Sequence, residues 1–316
     1  MRLGQHFLKN KSKLRKIAEA LELKSGDTVI EIGPGHGELT GELTLKQGMG
    51  LSPKRIENEE LRIIAIEKDH RLAQDLRNTI ETQWKFNRDT IEIVEGDALK
   101  MLPSLIQNSK LRIKNFKVVG NIPYYITGYL FRILGELENK PEVIVLTIQK
   151  EVAERVCARP PNMNLLAVSV QFWAEPKIIG YISKKDFKPQ PKVDSAIIKL
   201  TLKQGMGLSP KRIKNEELTL RGFAAGELRI KDDYYKLIKI IFKQPRKTIW
   251  NNLVEADLPR IAEQGSLRGE RGLERGSTQM KKELIEILLG IGVNPNDRPQ
   301  NLSIKQIITL SKNHTV

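Results

Sequence analysis

The chain has 316 residues, with 53 lysines and arginines against 38 aspartates and glutamates, a formal net charge of +15. A single cysteine, Cys157, excludes a disulfide framework and a cysteine-based zinc cluster, and four scattered histidines argue against a histidine metal site. A pI near 9.7 points to a polyanionic partner, most naturally nucleic acid, and no apolar run is long enough for a membrane helix.

The opening, MRLGQHFLKNK, lacks the apolar core of a signal peptide, so the expected compartment is the cytoplasm. KLRKIAEALEL (13–23) then has a helical period, and DTVIEIG (27–33) is a β-rich apolar run. LRIIAIE (61–67), TIEIVEG (90–96), FKVVGN (116–121) and EVIVLTIQ (142–149) repeat that pattern, with helical stretches such as HRLAQDLRNTIE (70–81) between them. Continuous apolar runs alternating with helices predict a parallel sheet covered on both faces. Further β-like runs follow at 177–183 and 192–202. Beyond them the pattern turns helical, at 233–244, 246–256, 281–292 and 304–312. The expected architecture is α/β, followed by a small helical domain.

A repeat interrupts this scheme. Leu43 to Leu61, LTLKQGMGLSPKRIENEEL, recurs as Leu200 to Leu218 with one difference in nineteen positions, Glu57 against Lys214. Solenoid repeats come in tandem arrays, so two distant near-identical copies fit one mobile stretch inserted twice in frame better than a duplicated functional hairpin. GSLRGERGLERGSTQM (265–280), rich in Gly and Arg with no apolar period, has the same foreign look. The three stretches together carry only +4 of the net charge, which leaves +11, so the basic character belongs to the host protein. The expected domains are 1–202 with an insertion at about 46–60, an inserted repeat at 203–226, and a helical domain at 227–316 with an insertion at about 265–280.

The chemistry concentrates at strand ends. The first strand runs into Glu31-Ile-Gly33-Pro34-Gly35-His36-Gly37, a turn whose glycines admit a ligand close to the backbone. Its GxGxG spacing is neither the dinucleotide GxGxxG nor a P-loop. Glu67 ends the second strand, where a carboxylate can accept from both ribose hydroxyls. Once the insertion is discounted, its distance from the glycine turn approaches the usual 20 or so residues. Asp97 ends the third strand, placed for an exocyclic amino group such as that of adenine.

Asn121-Ile122-Pro123-Tyr124 directly follows the fourth strand. The exocyclic amine of adenine is a poor nucleophile, because its lone pair is delocalised into the ring. A site that alkylates it must accept hydrogen bonds from both N–H groups. The Asn121 side-chain oxygen and the Ile122 carbonyl provide two such acceptors on a turn stiffened by Pro123. Tyr124 is placed to stack on a base turned out of its helix.

Taken together, GQHFL (4–8), EIGPGHGELT (31–40), IEKD (66–69), EGDAL (95–99), NIPYYI (121–126) and FKPQPKVDSAIIKL (187–200) resemble the ribosomal RNA adenine-N6 dimethyltransferases. RKTIWNNL (246–253) and LLGIGVNPNDRPQNLS (288–303) extend the resemblance over nearly the whole chain outside the three foreign stretches. It implies a Rossmann-like class I methyltransferase sheet and S-adenosyl-L-methionine as donor. It implies donor contacts from His6, Leu8, Gly33, Gly35, Glu67, Asp97 and Asn121, with His6 standing where relatives often carry Asn. Phe187 matches an aromatic expected to face the target base opposite Tyr124.

The resemblance is strongest to the small-subunit enzymes, which place two methyl groups on each of two adjacent adenines in the 3′-terminal hairpin loop. It implies small-subunit rRNA and the pre-30S particle as partners, a monomer, and no membrane. The chain begins just before Gly4, so the basic leader of many relatives is not expected. Lys243, Arg246 and Lys247 in FKQPRKTIW form the candidate RNA-binding face. Two alternatives stay open, a large-subunit adenine methyltransferase conferring macrolide resistance and a non-catalytic ribosome assembly factor.

Overall fold

The computed structural model describes residues 5–44, 61–84, 90–107, 115–203, 231–256 and 281–313. The repeat stretches 46–60 and 265–280 lie outside these residues, as does 203–226 apart from Lys203.

The chain forms two compact units, Met1–Cys157 with Trp173–Ser209, and Ala158–Phe172 with Pro210–Val316. The first holds a seven-stranded sheet. Its strands are β2 (Asp27–Ile32), β3 (Leu61–Glu67), β4 (Ile91–Glu95), β5 (Phe116–Asn121), β6 (Val143–Gln149), β7 (Ala174–Ile182) and β9 (Ser195–Leu202). Their order across the sheet is β4-β3-β2-β5-β6-β9-β7. The five strands expected to be parallel are so, with β2 hydrogen-bonded in parallel to both β3 and β5. The two later β runs differ in direction. Both β6–β9 and β9–β7 are antiparallel, so the sheet is mixed.

The helices of this unit are α1 (Lys11–Ala20), α2 (Glu38–Leu43), α3 (His70–Thr79), α4 (Ala98–Gln107), α5 (Thr127–Glu136) and α6 (Lys150–Val156). The chain steps outward from β2 to β4, then restarts at β5 on the other side. Right-handed crossovers in opposite directions place the two sets of helices on opposite faces. Local sequence explains where helices start. The Asn10 side chain accepts from Lys13 N at the head of α1, whose Leu14, Ile17 and Ala18 are buried at helical spacing. Asp69 accepts from Arg71 N and Leu72 N at the head of α3. In β3, Ile63, Ile64, Ala65 and Ile66 are all buried, which is what a strand covered on both faces requires. Each such isoleucine contributes about 1.5–3 kcal/mol by burial.

A separate two-stranded ribbon joins the ends of this unit. β1 (Phe7–Leu8) pairs antiparallel with β8 (Phe187–Lys188), in register Phe7↔Lys188 and Leu8↔Phe187. Lys9 N donates to Asp186 O at 2.9 Å, and Asn10 Nδ2 donates to Asp186 Oδ1 at 2.9 Å. Leu8 and Phe187 are both buried in the core beneath.

The second unit is helical, with α7 (Leu165–Gln171), α8 (231–241), α9 (249–256), α10 (281–290) and α11 (Ile304–Asn313). Residues 158–172, inside the expected first domain by position, group with this unit. The reason is packing around a buried tyrosine. The Tyr234 ring stacks on Phe172 with centroids 4.2 Å apart, and its hydroxyl donates to Val168 O at 2.9 Å. Arg159 donates to Gln171 Oε1, and Gln171 Nε2 donates to Ala158 O, which closes the segment on itself.

Candidate active site

Because β3, β2 and β5 are parallel, their carboxyl ends share one sheet edge, and β2 is where the strand order reverses. A cavity opens there. From the strand ends it receives Gly33, Gly35, Glu67, Asp97 and Asn121; from the turn after β5, Ile122, Pro123 and Tyr124. The β1–β8 ribbon supplies His6, Leu8 and Phe187. The structure thus brings together around one cavity every residue that the sequence assigned to donor and target.

Glu67 is buried, and two backbone amides fix its carboxylate. Gly35 N donates to Oε2 at 3.0 Å and Asp69 N to Oε1 at 2.9 Å. Each oxygen keeps a lone pair for a ligand hydroxyl. Gly35 has φ +60°, and a Cβ there would lie 2.8 Å from the Phe7 ring, so the turn requires glycine. Asp97 accepts from Leu99 N at 3.0 Å and pairs with Lys68 Nζ at 2.8 Å. The Lys68 hydrogen bond holds the Asp97 carboxyl below its ordinary range. Asp97 remains ionised and acceptor-only, as an amino-group partner must be.

At the target end, Asn121 Nδ2 donates to the His6 carbonyl oxygen at 2.8 Å. Tyr124 shares a 2.7 Å hydroxyl–hydroxyl hydrogen bond with Ser195, which is buried at the start of β9. Burial pushes the Tyr124 phenol above its ordinary value, so it stays protonated. The His6 and Tyr124 rings are stacked with centroids 6.0 Å apart, and His6 Nδ1 bonds Pro189 O at 2.8 Å. Phe187 lines the cavity while most of its surface is buried in the core.

Glu31, Lys68 and Ser195 also belong to this arrangement, although sequence reasoning gave them no role. Glu31 lies within β2, one of a run of buried positions. Its Oε2 accepts from Thr40 Oγ1 at 2.7 Å, while Oε1 faces no hydrogen-bond partner. Burial raises its carboxyl to about 8, despite the Thr40 bond. An ionisable side chain inside an apolar strand was the available signal for it. For Ser195 no local signal existed, because its partner is 71 residues away.

The cavity suits a cationic ligand bearing hydroxyl and amino donors. Four carboxyl side chains line it, those of Glu31, Glu38, Glu67 and Asp97, and one buried carboxyl oxygen, Glu31 Oε1, stands without a partner. S-adenosylmethionine, a sulfonium with an ammonium, a ribose diol and an adenine amine, matches that donor set.

The profile of the family "Ribosomal RNA adenine dimethylase" matches residues 1–265. A "Ribosomal RNA small subunit methyltransferase A" of Moorella thermoacetica is 31% identical over 98% of this chain and 90% of its own length. The chain belongs to the ribosomal RNA adenine dimethylase family. It is a methyltransferase of the class I fold that uses S-adenosylmethionine as donor. Among solved structures, a dimethyladenosine transferase from Plasmodium falciparum is 24% identical with a TM-score of 0.68, covering 98% of each chain. A 23S rRNA methyltransferase is 22% identical with a TM-score of 0.63, over 97% of this chain and 98% of its own. These two likenesses concern the fold.

The candidate RNA-binding residues lie in the second unit. Lys243, Arg246 and Lys247 are exposed in the turn between α8 and α9, which Asn252 ties through Gln244 and Thr248. Lys247 pairs with Glu255 at 3.0 Å, so part of its charge is already answered within the protein.

Proposed function

We propose that this chain transfers two methyl groups to each of two adjacent adenines in the 3′-terminal hairpin loop of small-subunit rRNA. It acts as a monomer on the pre-30S particle in the cytoplasm. The observation that carries this reading is the bond from Asn121 Nδ2 to the His6 carbonyl. A carbonyl only accepts, so the amide nitrogen must face His6 and Oδ1 becomes the free acceptor of the group.

S-adenosylmethionine, when bound, supplies an electrophilic methyl group on sulfur. Glu67 accepts from the ribose hydroxyls and Asp97 from the adenine amine of the donor. Gly33 and Gly35 let the backbone approach, and His6 and Leu8 close the cavity from the ribbon. Asn121 Oδ1 and the Ile122 carbonyl, held by Pro123, accept the two N–H bonds of the target amine and localise its lone pair for attack. Tyr124 stacks on the flipped adenine, with Phe187 on its other side. No side chain is required as a general base, because the methylated ammonium loses its proton readily. The helical unit contributes phosphate contacts through Lys243, Arg246 and Lys247.

The small-subunit names of the curated relatives support this choice of RNA. The test is methylation of small ribosomal subunits from a dimethylation-deficient strain, mapped by primer extension. Stops at two adjacent adenines in the terminal hairpin are expected. Methylation confined to large-subunit RNA would overturn the assignment in favour of the macrolide-resistance reaction, and donor binding without transfer to either RNA would indicate an assembly factor.

A further inference from the structure

One exposed face begins at the catalytic turn and leads away from it. After Tyr124 the chain makes a single 3-10 turn and enters α5 without a break. Residues 125, 128, 129 and 132 are exposed at helical spacing, while Thr127, Leu130 and Phe131 are buried beneath them. The exposed positions are Tyr125, Gly128, Tyr129 and Arg132. Tyr125 is 68% exposed and Tyr129 54%, the two most exposed large apolar side chains described in the sheet-containing unit. A Cβ on Gly128 would meet nothing within 4 Å, so the surface beside the two rings is bare. Lys68 lies near Tyr125 and Arg132 near Tyr129, the first paired with Asp97 at 2.8 Å. Arg132 also pairs with Glu136 on the same face, at 2.9 Å.

We infer that Tyr125 and Tyr129 form a stacking platform for unpaired RNA bases next to the target adenine. The inference rests on the proposed methylation of rRNA and extends it beyond the cavity. Tyr125 lines that cavity as well as the outer face, so the platform is continuous with the place where the flipped base must enter. A base turned out of a hairpin loop leaves its neighbours unstacked. Aromatic rings flanked by cations bind such single-stranded nucleotides with little regard for sequence. Two exposed aromatic rings side by side on one helical face form a patch of the kind that marks an interaction site. The chain's net charge of +15 favours the polyanion. The platform therefore fixes the loop's neighbours while Tyr124 holds the reacting base, and it serves substrate capture more than the methyl-transfer step.

The experiment compares Tyr129→Ala, Tyr125→Ala/Tyr129→Ala and Tyr129→Phe with the unmutated chain on undermethylated small ribosomal subunits. Tyr129→Ala, outside the cavity, is expected to raise KM for subunits at least about threefold with kcat and donor Kd changed less than about threefold, and the double variant to raise KM at least about tenfold. Tyr129→Phe should behave as the unmutated chain, because stacking needs the ring and not the hydroxyl. An unchanged KM in the double variant would overturn the platform, as would a loss at Tyr129→Ala that Tyr129→Phe does not rescue. Thermal midpoints guard against misfolding. A change in sedimentation with no change in KM would mean that the face meets a second copy of the chain instead. If the unmutated chain fails to methylate small subunits, the substrate reading falls. The platform is then judged separately by the Kd of a fluorescent single-stranded purine oligoribonucleotide, where equal values for the unmutated and double-variant chains would overturn it.

Discussion

The side-chain amide of Asn121, at the end of β5, donates to the main-chain carbonyl of His6, which is 115 residues earlier and 2.8 Å away. The β1–β8 ribbon holds that carbonyl in place, since Phe7 and Leu8 pair with Lys188 and Phe187. The N-terminal segment thereby sets which atom of Asn121 is left to accept from the target amine. Asn121→Asp would set a carboxylate oxygen against the His6 carbonyl. Single-turnover methylation should fall at least about 100-fold, the order seen when one preorganised polar partner is lost. Donor Kd should move less than tenfold by calorimetry. A rate within threefold of the unmutated chain would remove Asn121 from the chemistry.

The hydroxyl bond between Tyr124 and Ser195 should act as one unit. Tyr124→Phe and Ser195→Ala each remove a hydrogen bond worth about 0.5–1.5 kcal/mol, or roughly two- to tenfold in kcat if the bond orients the stacking ring. The double variant should be no slower than the slower single one, because both lose the same contact. Additive losses would show that the two residues act separately. Tyr124→Ala, which removes the ring itself, should slow methylation at least tenfold and leave donor affinity within about threefold.

Donor binding should depend on Glu67 more steeply than a ribose contact alone requires. Its carboxylate also receives the amides of Gly35 and Asp69, so its removal releases the glycine turn as well. Glu67→Ala should weaken S-adenosylmethionine binding at least tenfold, on the basis of about 1.5–3 kcal/mol per charged hydrogen bond. Glu67→Gln, with one carbonyl oxygen in place of two carboxylate oxygens, should fall between. Equal affinity for all three chains would place the ribose elsewhere.

Glu31 gives the protein a defined pH response. Its carboxyl ionises near 4.5 in the unfolded chain but only at about 8 in the fold, because burial disfavours the charge. The folded state therefore holds the extra proton between those values. Stability is fully present below about pH 4.5 and is lost as pH rises toward 8, by at most about 1.4 kcal/mol per pH unit. Glu31→Gln keeps an acceptor for Thr40 and cannot ionise. It should raise the thermal midpoint at pH 9 more than at pH 5. Parallel pH profiles for the two chains would mean that Glu31 titrates normally.

The turn between α8 and α9 should contribute to salt-dependent RNA binding through two of its three cations. Lys243→Ala and Arg246→Ala should each reduce the salt slope of subunit binding by a little under one unit. Lys247→Ala should change it less, because Lys247 pairs with Glu255. A triple variant with the unmutated slope would exclude this turn from the RNA contact.

Much of this protein is local in origin, and that part is readable from the sequence. Period and apolar content mark the five parallel strands. The Gly33–Gly35 turn, Glu67, Asp97 and Asn121 sit at strand ends because ligand groups there follow directly from chain order. What needed tertiary structure was every relation between distant segments: the ribbon joining His6–Leu8 to Phe187, the Ser195 partner of Tyr124, the antiparallel direction of β9 and β7, and the grouping of 158–172 with the helical unit. The duplicated stretch gives the sharpest case. Leu43-Thr44 closes helix α2, with Leu43 buried in the core under β2 and β3, whereas the identical Leu200-Thr201 lies in strand β9 between β6 and β7. The same residues, with the same propensities, take opposite structures. Here the partner surfaces already in place decide, because burying a leucine against a neighbouring strand or helix outweighs the few tenths of a kcal/mol by which its own preference differs.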